Sequence, residues 1–265
     1  MLTCVKGTVK RLCRCCGLDV RRTPPYRPFE WLRDWNIRTV LDVGANTGQF
    51  AALIHQALPQ VRLYAFEPLR DCCEQLQKTM AGVSDFQAFD FALGDTNGQT
   101  QIHRNEFSAS SSLLPMEDLH KRAFPYTAQA HVETIEIRRL DDVAKDLQID
   151  DELLIKVDVQ GAEDKVISGG GQTFSRASVL ILETTFVPLY QGQVLFDAIY
   201  DRLRRMGFTY MGTEHIIRHP QTGRVLQCDA LFLRGTNPPS PSPFPGSTAK
   251  ITNRQTGSGA SASSR

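Results

Sequence analysis

The sequence predicts an α/β fold: a mostly parallel sheet covered by helices on both faces. Three observations carry the prediction. Strand-like and helix-like segments alternate along most of the chain, beginning with RTVLDVG and QFAALIHQAL. The strand segments VRLYAF, LLIKVDV and VLILETTF are continuous apolar runs, the pattern of strands buried on both sides. The first strand ends in glycine at the start of a helix, the turn that opens a doubly wound sheet.

The elements follow in order. RTVLDVG is the first strand and QFAALIHQAL a helix; VRLYAFEP is the second strand, stopped by Pro68, and RDCCEQLQKTM a second helix. FQAFDFALGD is predicted as one third strand. TQIHRNE and HVETIEIRRL are extended segments around the loop FSASSSLLPMEDLHKRAFPYTAQA, and DDVAKDL is a short helix. LLIKVDVQ is the next parallel-type strand, with a helix from Ala162 to about Ser168 behind it. VLILETTF is a strand and VLFDAIYDRLRRMG a helix. FTYMGTEHIIRH and LQCDALFLR close the domain as an antiparallel pair around Thr222 and Gly223. Trp31 and Trp35, flanking the first strand, are expected in the core.

Bulk properties narrow the function. A net charge of +1 over 265 residues gives no electrostatic drive toward nucleic acid. No stretch approaches the ~20 apolar residues of a membrane span. Seven cysteines, two pairs of them adjacent in the chain, fit a reducing cytoplasm better than a disulfide framework. Residues 1–28 form a basic arm with Val5, Val9, Leu12 and Cys16 at helical spacing. A short helix packed on the domain is expected there, with weak contact to an anionic membrane surface as the alternative. Cys13, Cys15 and Cys16 lack the second ligand pair of a zinc site. Residues 29–235 form the domain, and 236–265, rich in Pro, Ser, Gly and Thr, read as a disordered tail.

In such sheets ligands bind at the carboxyl ends of the strands, where the strand order reverses. The first turn reads Asp42-Val43-Gly44-Ala45-Asn46-Thr47-Gly48. Gly44 permits a tight turn, Gly48 is expected to let the helix backbone approach a ligand, and the helix amides favour an anionic group. Glu67 ends the second strand, placed to accept hydrogen bonds from a ribose diol. Asn46 stands where a dinucleotide fingerprint needs its second glycine, and no G-K-[ST] is present. A cofactor with a ribose but no phosphate fits best, and S-adenosylmethionine is the candidate. Asp90, or the backbone around Ala92, is the expected adenine contact.

The second motif is KVDVQGAE, residues 156–163. Together VLDVGANTGQF, YAFEP, ALGD, RRLDD, LLIKVDVQGAED, LILETTFVPLYQGQVLFDAIYDRLRRMGF and CDALFLR resemble, in order, the FkbM-type methyltransferases. The resemblance runs from about Phe29 to Arg234. It implies a class I, Rossmann-like methyltransferase sheet of seven strands with the last antiparallel. It also implies O-methylation of a sugar, glycan or natural-product hydroxyl. Gln160 stands where that family often has glutamate, which weakens residue 160 as an acid or metal ligand.

Methyl transfer needs an acceptor oxygen held in line with the leaving sulfur and a base within reach of its proton. Asp158, at the end of its strand, is the first candidate. Glu163 is expected to fix the turn or shape the site, and Glu183 is a third acid. His103 and His131 rank below them, and no metal is assigned. The acceptor is expected under the loop from Phe107 to Ala130, with its run Ser108 to Ser112. Two other classes compete. A nicotinamide-dependent oxidoreductase or epimerase lacks its second glycine and any Tyr-x-x-x-Lys pair. A non-catalytic binding protein would not be expected to keep Asp42, Gly44, Asn46, Gly48, Glu67 and Asp158 together.

Overall fold

A computed structural model describes residues 28–235. The expectations for the basic arm, its cysteine cluster and the tail fall outside the described residues, apart from the arm's last residue, Pro28. After a 3-10 turn at Glu30–Trp35 come β1 (Thr39–Val43), α1 (Gln49–Ala57), β2 (Arg62–Phe66), α2 (Arg70–Thr79), β3 (Phe86–Phe89), β4 (Ala92–Gly94) and β5 (Gly98–Asn105). Then follow α3 (Asp118–Ala123), β6 (Ala130–Arg139), α4 (Leu140–Val143), β7 (Leu153–Val157), α5 (Glu163–Gly169) and α6 (Gly171–Arg176). The domain closes with β8 (Val179–Thr185), α7 (Phe196–Arg205), β9 (Phe208–Arg218) and β10 (Val225–Arg234).

The main sheet has seven strands in the order β3-β2-β1-β7-β8-β10-β9. β10 runs antiparallel to both neighbours, and the other pairings in this sheet are parallel. This is the predicted doubly wound architecture with its last strand reversed. From β1 the chain winds outward to β2 and β3, then crosses back to place β7 on the other side of β1. The order therefore reverses between β1 and β7, and a crevice is expected at their carboxyl ends.

The strands are buried because both faces are covered. Every residue of β1, β7 and β8 is buried. On one face Leu41, Val43, Phe66, Ile155 and Val157 pack with Leu140, Val166 and Phe174. On the other, Val40, Leu63, Ala65 and Leu154 pack with Ala51 and Ile54 of α1 and Leu76 of α2. Trp31 and Trp35 lie against this second cluster, as expected. Side chains alternate across a strand, so Asp42 and Lys156 face α1. The register pairs them directly across β1 and β7.

One element differs from expectation. The predicted third strand breaks at exposed Asp90. β3 pairs with β2 at the edge of the main sheet, whereas β4 leaves it and pairs with β6. The turn seats Phe89 and Phe91 around Phe66, with ring centroids 5.0 and 5.8 Å from it. β4, β6 and β5 form a small second sheet. The Ser108–Ser112 segment follows β5, so this sheet carries it to the crevice. No helix among the described residues is long and apolar enough to cross a membrane.

Candidate active site

A cleft of about 630 Å³ opens at the carboxyl ends of β1, β2 and β7. Gly44, Asn46, Glu67, Ala92, Asp158 and Gln160 are among its walls, and Ser108, Ala109 and Ser111 to Leu113 enter from the small sheet. Sequence reasoning thus brought Gly44, Asn46, Glu67 and Asp158 to one place.

Gly44 makes the turn possible in two ways. Its φ is +79°, and a Cβ there would stand 1.8 Å from the Asp158 carbonyl oxygen. Only glycine allows β1 and β7 to end this close together. Asn46 also has a positive φ, +47°. Its side-chain amide bonds Ser108 Oγ at 3.1 Å and so ties the serine segment to the first turn.

Glu67 is buried at the end of β2. Asn46 N–H donates to its Oε2 and Leu69 N–H to its Oε1, each at 2.9 Å. Each carboxylate oxygen keeps a further lone pair. Burial pushes the carboxyl up to about 7, against the lowering effect of the two amides.

Three expected contacts lie elsewhere. Gly48 caps α1 with φ +95°, but its missing Cβ faces Leu76 and Thr79 of α2, 3.0 to 3.3 Å away. It allows helix-on-helix approach rather than approach to a ligand, and the first turn of α1 does not line the cleft. Asp90 is exposed at the strand break and lines no wall of the cleft, whereas Ala92 does. Asp42 is fully buried beneath the cleft. Its Oδ1 lies 3.5 Å from Lys156 Nζ. Desolvation raises its pKa, and Lys156 opposes the rise.

Lys156 links the two ends of the site. Nζ lies 3.3 Å from Asp158 Oδ2 and donates to the Gly44 carbonyl at 3.3 Å. The Phe50 ring of α1 closes over it with its centroid at 5.7 Å. A buried lysine needs such partners, and Asp158 and Asp42 hold its pKa above the ordinary value against desolvation. Sequence reasoning missed this residue. The available signal was a lysine inside the apolar run LLIKV, since lysine is rarely buried unless paired.

The other acids divide by environment. Asp158, with its side chain 31% exposed, faces the cleft. Gln160 Nε2 donates to its Oδ1 at 2.8 Å. Glu163 is buried. Its Oε1 accepts the N–H groups of Val159 and Gly161 at 3.1 and 3.0 Å, which fixes the turn after β7. Glu183 is buried behind Gln160 and lines no wall of the cleft. Its pKa is pushed well up by burial first, then by Asp158, Glu163 and Asp229. Tyr190, Gln227 and His120 also escaped sequence reasoning. Buried His120 packs edge-on against Tyr190 at 5.2 Å, and desolvation lowers it to about 4. His131 is exposed and pairs with Glu133, whereas His103 lines a second cleft beside the first.

Glu163 yields a stability prediction. Burial raises its pKa from 4.5 to about 7 in the folded chain. Between these values the folded state holds more protons than the unfolded one, so stability falls as pH rises from about 4.5 to 7. The slope reaches about 1.4 kcal/mol per pH unit for one group. Glu163→Gln keeps the carbonyl acceptor for Val159 and Gly161 and should flatten the decline. Urea unfolding from pH 5 to 8 checks this, and equal slopes for both proteins would contradict it.

The strand order, the glycine turn and the acidic end of β2 at the reversal point together define a class I methyltransferase, whose methyl donor is S-adenosyl-L-methionine. Residues 42–210 match the family model described as the methyltransferase FkbM domain, and the chain belongs to that family. A relative in Sinorhizobium fredii (strain NBRC 101917 / NGR234), the 2-O-methyltransferase NoeI, is 30% identical over 171 residues, covering 62% of this chain and 70% of its own. The methyltransferase sdnD of Sordaria araneosa is 27% identical over 153 residues, which cover 49% of this chain and 59% of that protein. Among solved structures, the magnesium protoporphyrin IX methyltransferase of Synechocystis is 14% identical with a TM-score of 0.42, over 77% of this chain and 74% of that one.

Proposed function

We propose that this methyltransferase is an O-methyltransferase for a hydroxyl of a sugar, glycan or other polyhydroxylated acceptor, with Asp158 as the group that orients and deprotonates that hydroxyl. The observation that carries the reading is that Glu67 and Asp158 open onto one cleft from the ends of β2 and β7. One end suits a ribose and the other a reacting hydroxyl.

The residues fit the cofactor. Glu67 has a lone pair on each oxygen for a ribose hydroxyl. The bare backbone of Gly44 and the Asn46 turn face the same space. Ala92 and Leu93 offer an apolar wall to the adenine, in place of Asp90. When bound, S-adenosyl-L-methionine supplies an electrophilic methyl on a sulfonium. Asp158 accepts the acceptor's proton as its oxygen takes up the methyl. Glu163 holds the loop that presents Asp158, and Asp42 sets Lys156 from below.

Two further facts support a polyhydroxylated acceptor. The adjoining cleft, about 610 Å³, is lined by Asn105, Ser110, Ser112, Thr127 and Gln191, with Lys121 and His103. This lining sets polar side chains beside the apolar ones of Leu114, Pro115 and Met116, a mixture suited to the polar and C–H faces of a sugar ring. The relative NoeI carries the name 2-O-methyltransferase. A cytoplasmic site of action completes the reading, and Cys72, Cys73 and Cys228 are buried free thiols.

Calorimetric titration with S-adenosylhomocysteine, and with NAD in parallel, tests the cofactor half. Micromolar binding of the first alone is expected. Glu67→Ala should weaken S-adenosylhomocysteine by about 1–3 kcal/mol, the cost of leaving buried polar partners unpaired. An unchanged dissociation constant would remove the ribose role. Transfer of label from methyl-tritiated donor onto a panel of glycosides tests the acceptor half, and labelling of amines or thiols alone would refute it.

A further inference from the structure

The Gln160 side chain meets three polar groups of the site, Asp158, Glu183 and Tyr190. Nε2 has two hydrogens, and both are used: one reaches Asp158 Oδ1 at 2.8 Å, the other Glu183 Oε2 at 2.7 Å. Asp158 and Glu183 sit on neighbouring strands, beside the end of β7 and near the end of β8, and two carboxyl groups this near one another repel when both are ionised unless something positive lies between them. The amide NH₂ lies there.

The amide is also held in that sense. The Tyr190 phenol donates to Oε1 at 2.8 Å. A flipped amide would turn its carbonyl oxygen onto the acceptor oxygens of two carboxyl groups, and the phenol would be left to donate to the Ser110 carbonyl at 3.2 Å. The backbone is fixed as well: φ is +56°, and Ser112 Oγ donates to the Gln160 carbonyl at 2.6 Å. Glu183 has a second amide donor on its other oxygen, Gln227 Nε2. The nearby cation, Lys156, is taken up by Asp42 and Asp158.

We propose that the Gln160 amide fills the place a bridging cation would otherwise take between Asp158 and Glu183, making Gln160 and Tyr190 the positioning residues of Asp158 and leaving this site independent of a divalent metal. The positioning half rests on the role of Asp158 given above; the metal half does not. Gln160 is a better bridge than a lysine for this purpose. It satisfies both acids without adding a charge, and it does not compete with Lys156 for Asp158.

The test is calorimetric titration of the full chain with MnCl₂, run with S-adenosylhomocysteine present. The wild type should show no binding up to about 1 mM. Gln160→Glu replaces the amide donor by a third carboxylate and should create a one-to-one Mn²⁺ site of micromolar affinity, of the kind hard cations form with clustered carboxylate oxygens. Adding Glu183→Gln should abolish it. One micromolar Mn²⁺ on the wild type, lost in Asp158→Asn, would overturn the proposal. So would a folded Gln160→Glu variant that binds none. Retained S-adenosylhomocysteine binding reports that a variant is folded.

A second readout needs no change at residue 160. In nitrogen-15 spectra the Gln160 side-chain amide hydrogens should exchange slowly with water, and Tyr190→Phe should speed that exchange roughly fivefold, the effect of losing one ordinary hydrogen bond that holds the amide in place. Unchanged exchange would remove Tyr190 from the proposal. Failure of the methyltransferase reading itself would appear separately, as no binding of S-adenosylhomocysteine by the wild type.

Discussion

Asp158→Asn is expected to lower methyl transfer by roughly 10²–10⁴-fold, the usual worth of a positioned general base, while S-adenosylhomocysteine affinity stays within about threefold. The split follows from the position of the group. Asp158 faces the cleft with its side chain 31% exposed, and Glu67 lines the same cleft from the end of a different strand, β2. An asparagine keeps the shape and can still accept from Gln160 Nε2. It cannot take a proton from an alcohol near neutral pH. The variant's residual rate should therefore climb with pH where the wild-type rate has levelled. Steady-state rates from pH 6 to 9, with calorimetry at one pH, check both halves. Wild-type turnover would assign the base elsewhere, and lost cofactor binding would make Asp158 a scaffold residue.

Lys156→Met is the largest stability change expected in the domain. The substitution nearly conserves volume but leaves Asp42 fully buried across the sheet without its counter-charge. Breaking a buried pair from one side costs about 3–5 kcal/mol. The pH dependence has a definite sign. Burial already raises the Asp42 pKa, and Lys156 opposes that rise. Its loss raises the folded pKa further, so the folded variant holds a proton that the unfolded chain has released. The penalty should be largest near pH 8 and shrink toward pH 5. Urea unfolding at the two pH values measures this. Adding Asp42→Asn should recover much of the loss at pH 8, and a double variant as unstable as the single one would show that Lys156 acts through something other than charge.

These two predictions show how unevenly the site could be foreseen. Asp158 and Glu67 were legible because each ends a strand, and strand ends are written locally: an apolar run, an acid, then Gln160-Gly161 or Pro68. The same local grammar gave the position of α5 to within a residue. Glu163 was expected to fix the turn, and the amides of Val159 and Gly161 on its carboxylate fit that reading. Gly48 was expected to let the α1 backbone approach a ligand and Asp90 to reach the adenine from within the third strand, yet Gly48 faces α2 and Asp90 is exposed at the break between β3 and β4. Nothing in the local sequence says that α2 crosses at Gly48, or that the chain quits the main sheet at Asp90.

The fold class, most of the strands and helices, the glycine turn and the two acids that border the cleft can be read from the residues alone. These depend on periodicity and turn chemistry within a few neighbouring residues. The placing of Lys156 between Asp42 and Asp158, and of Gln160 against Glu183 and Tyr190, comes from the packed fold. Those contacts depend on the register of β1, β7 and β8. A slip of one residue would turn each of these side chains to the opposite face of the sheet, and it is the packing of both faces at once that fixes the register.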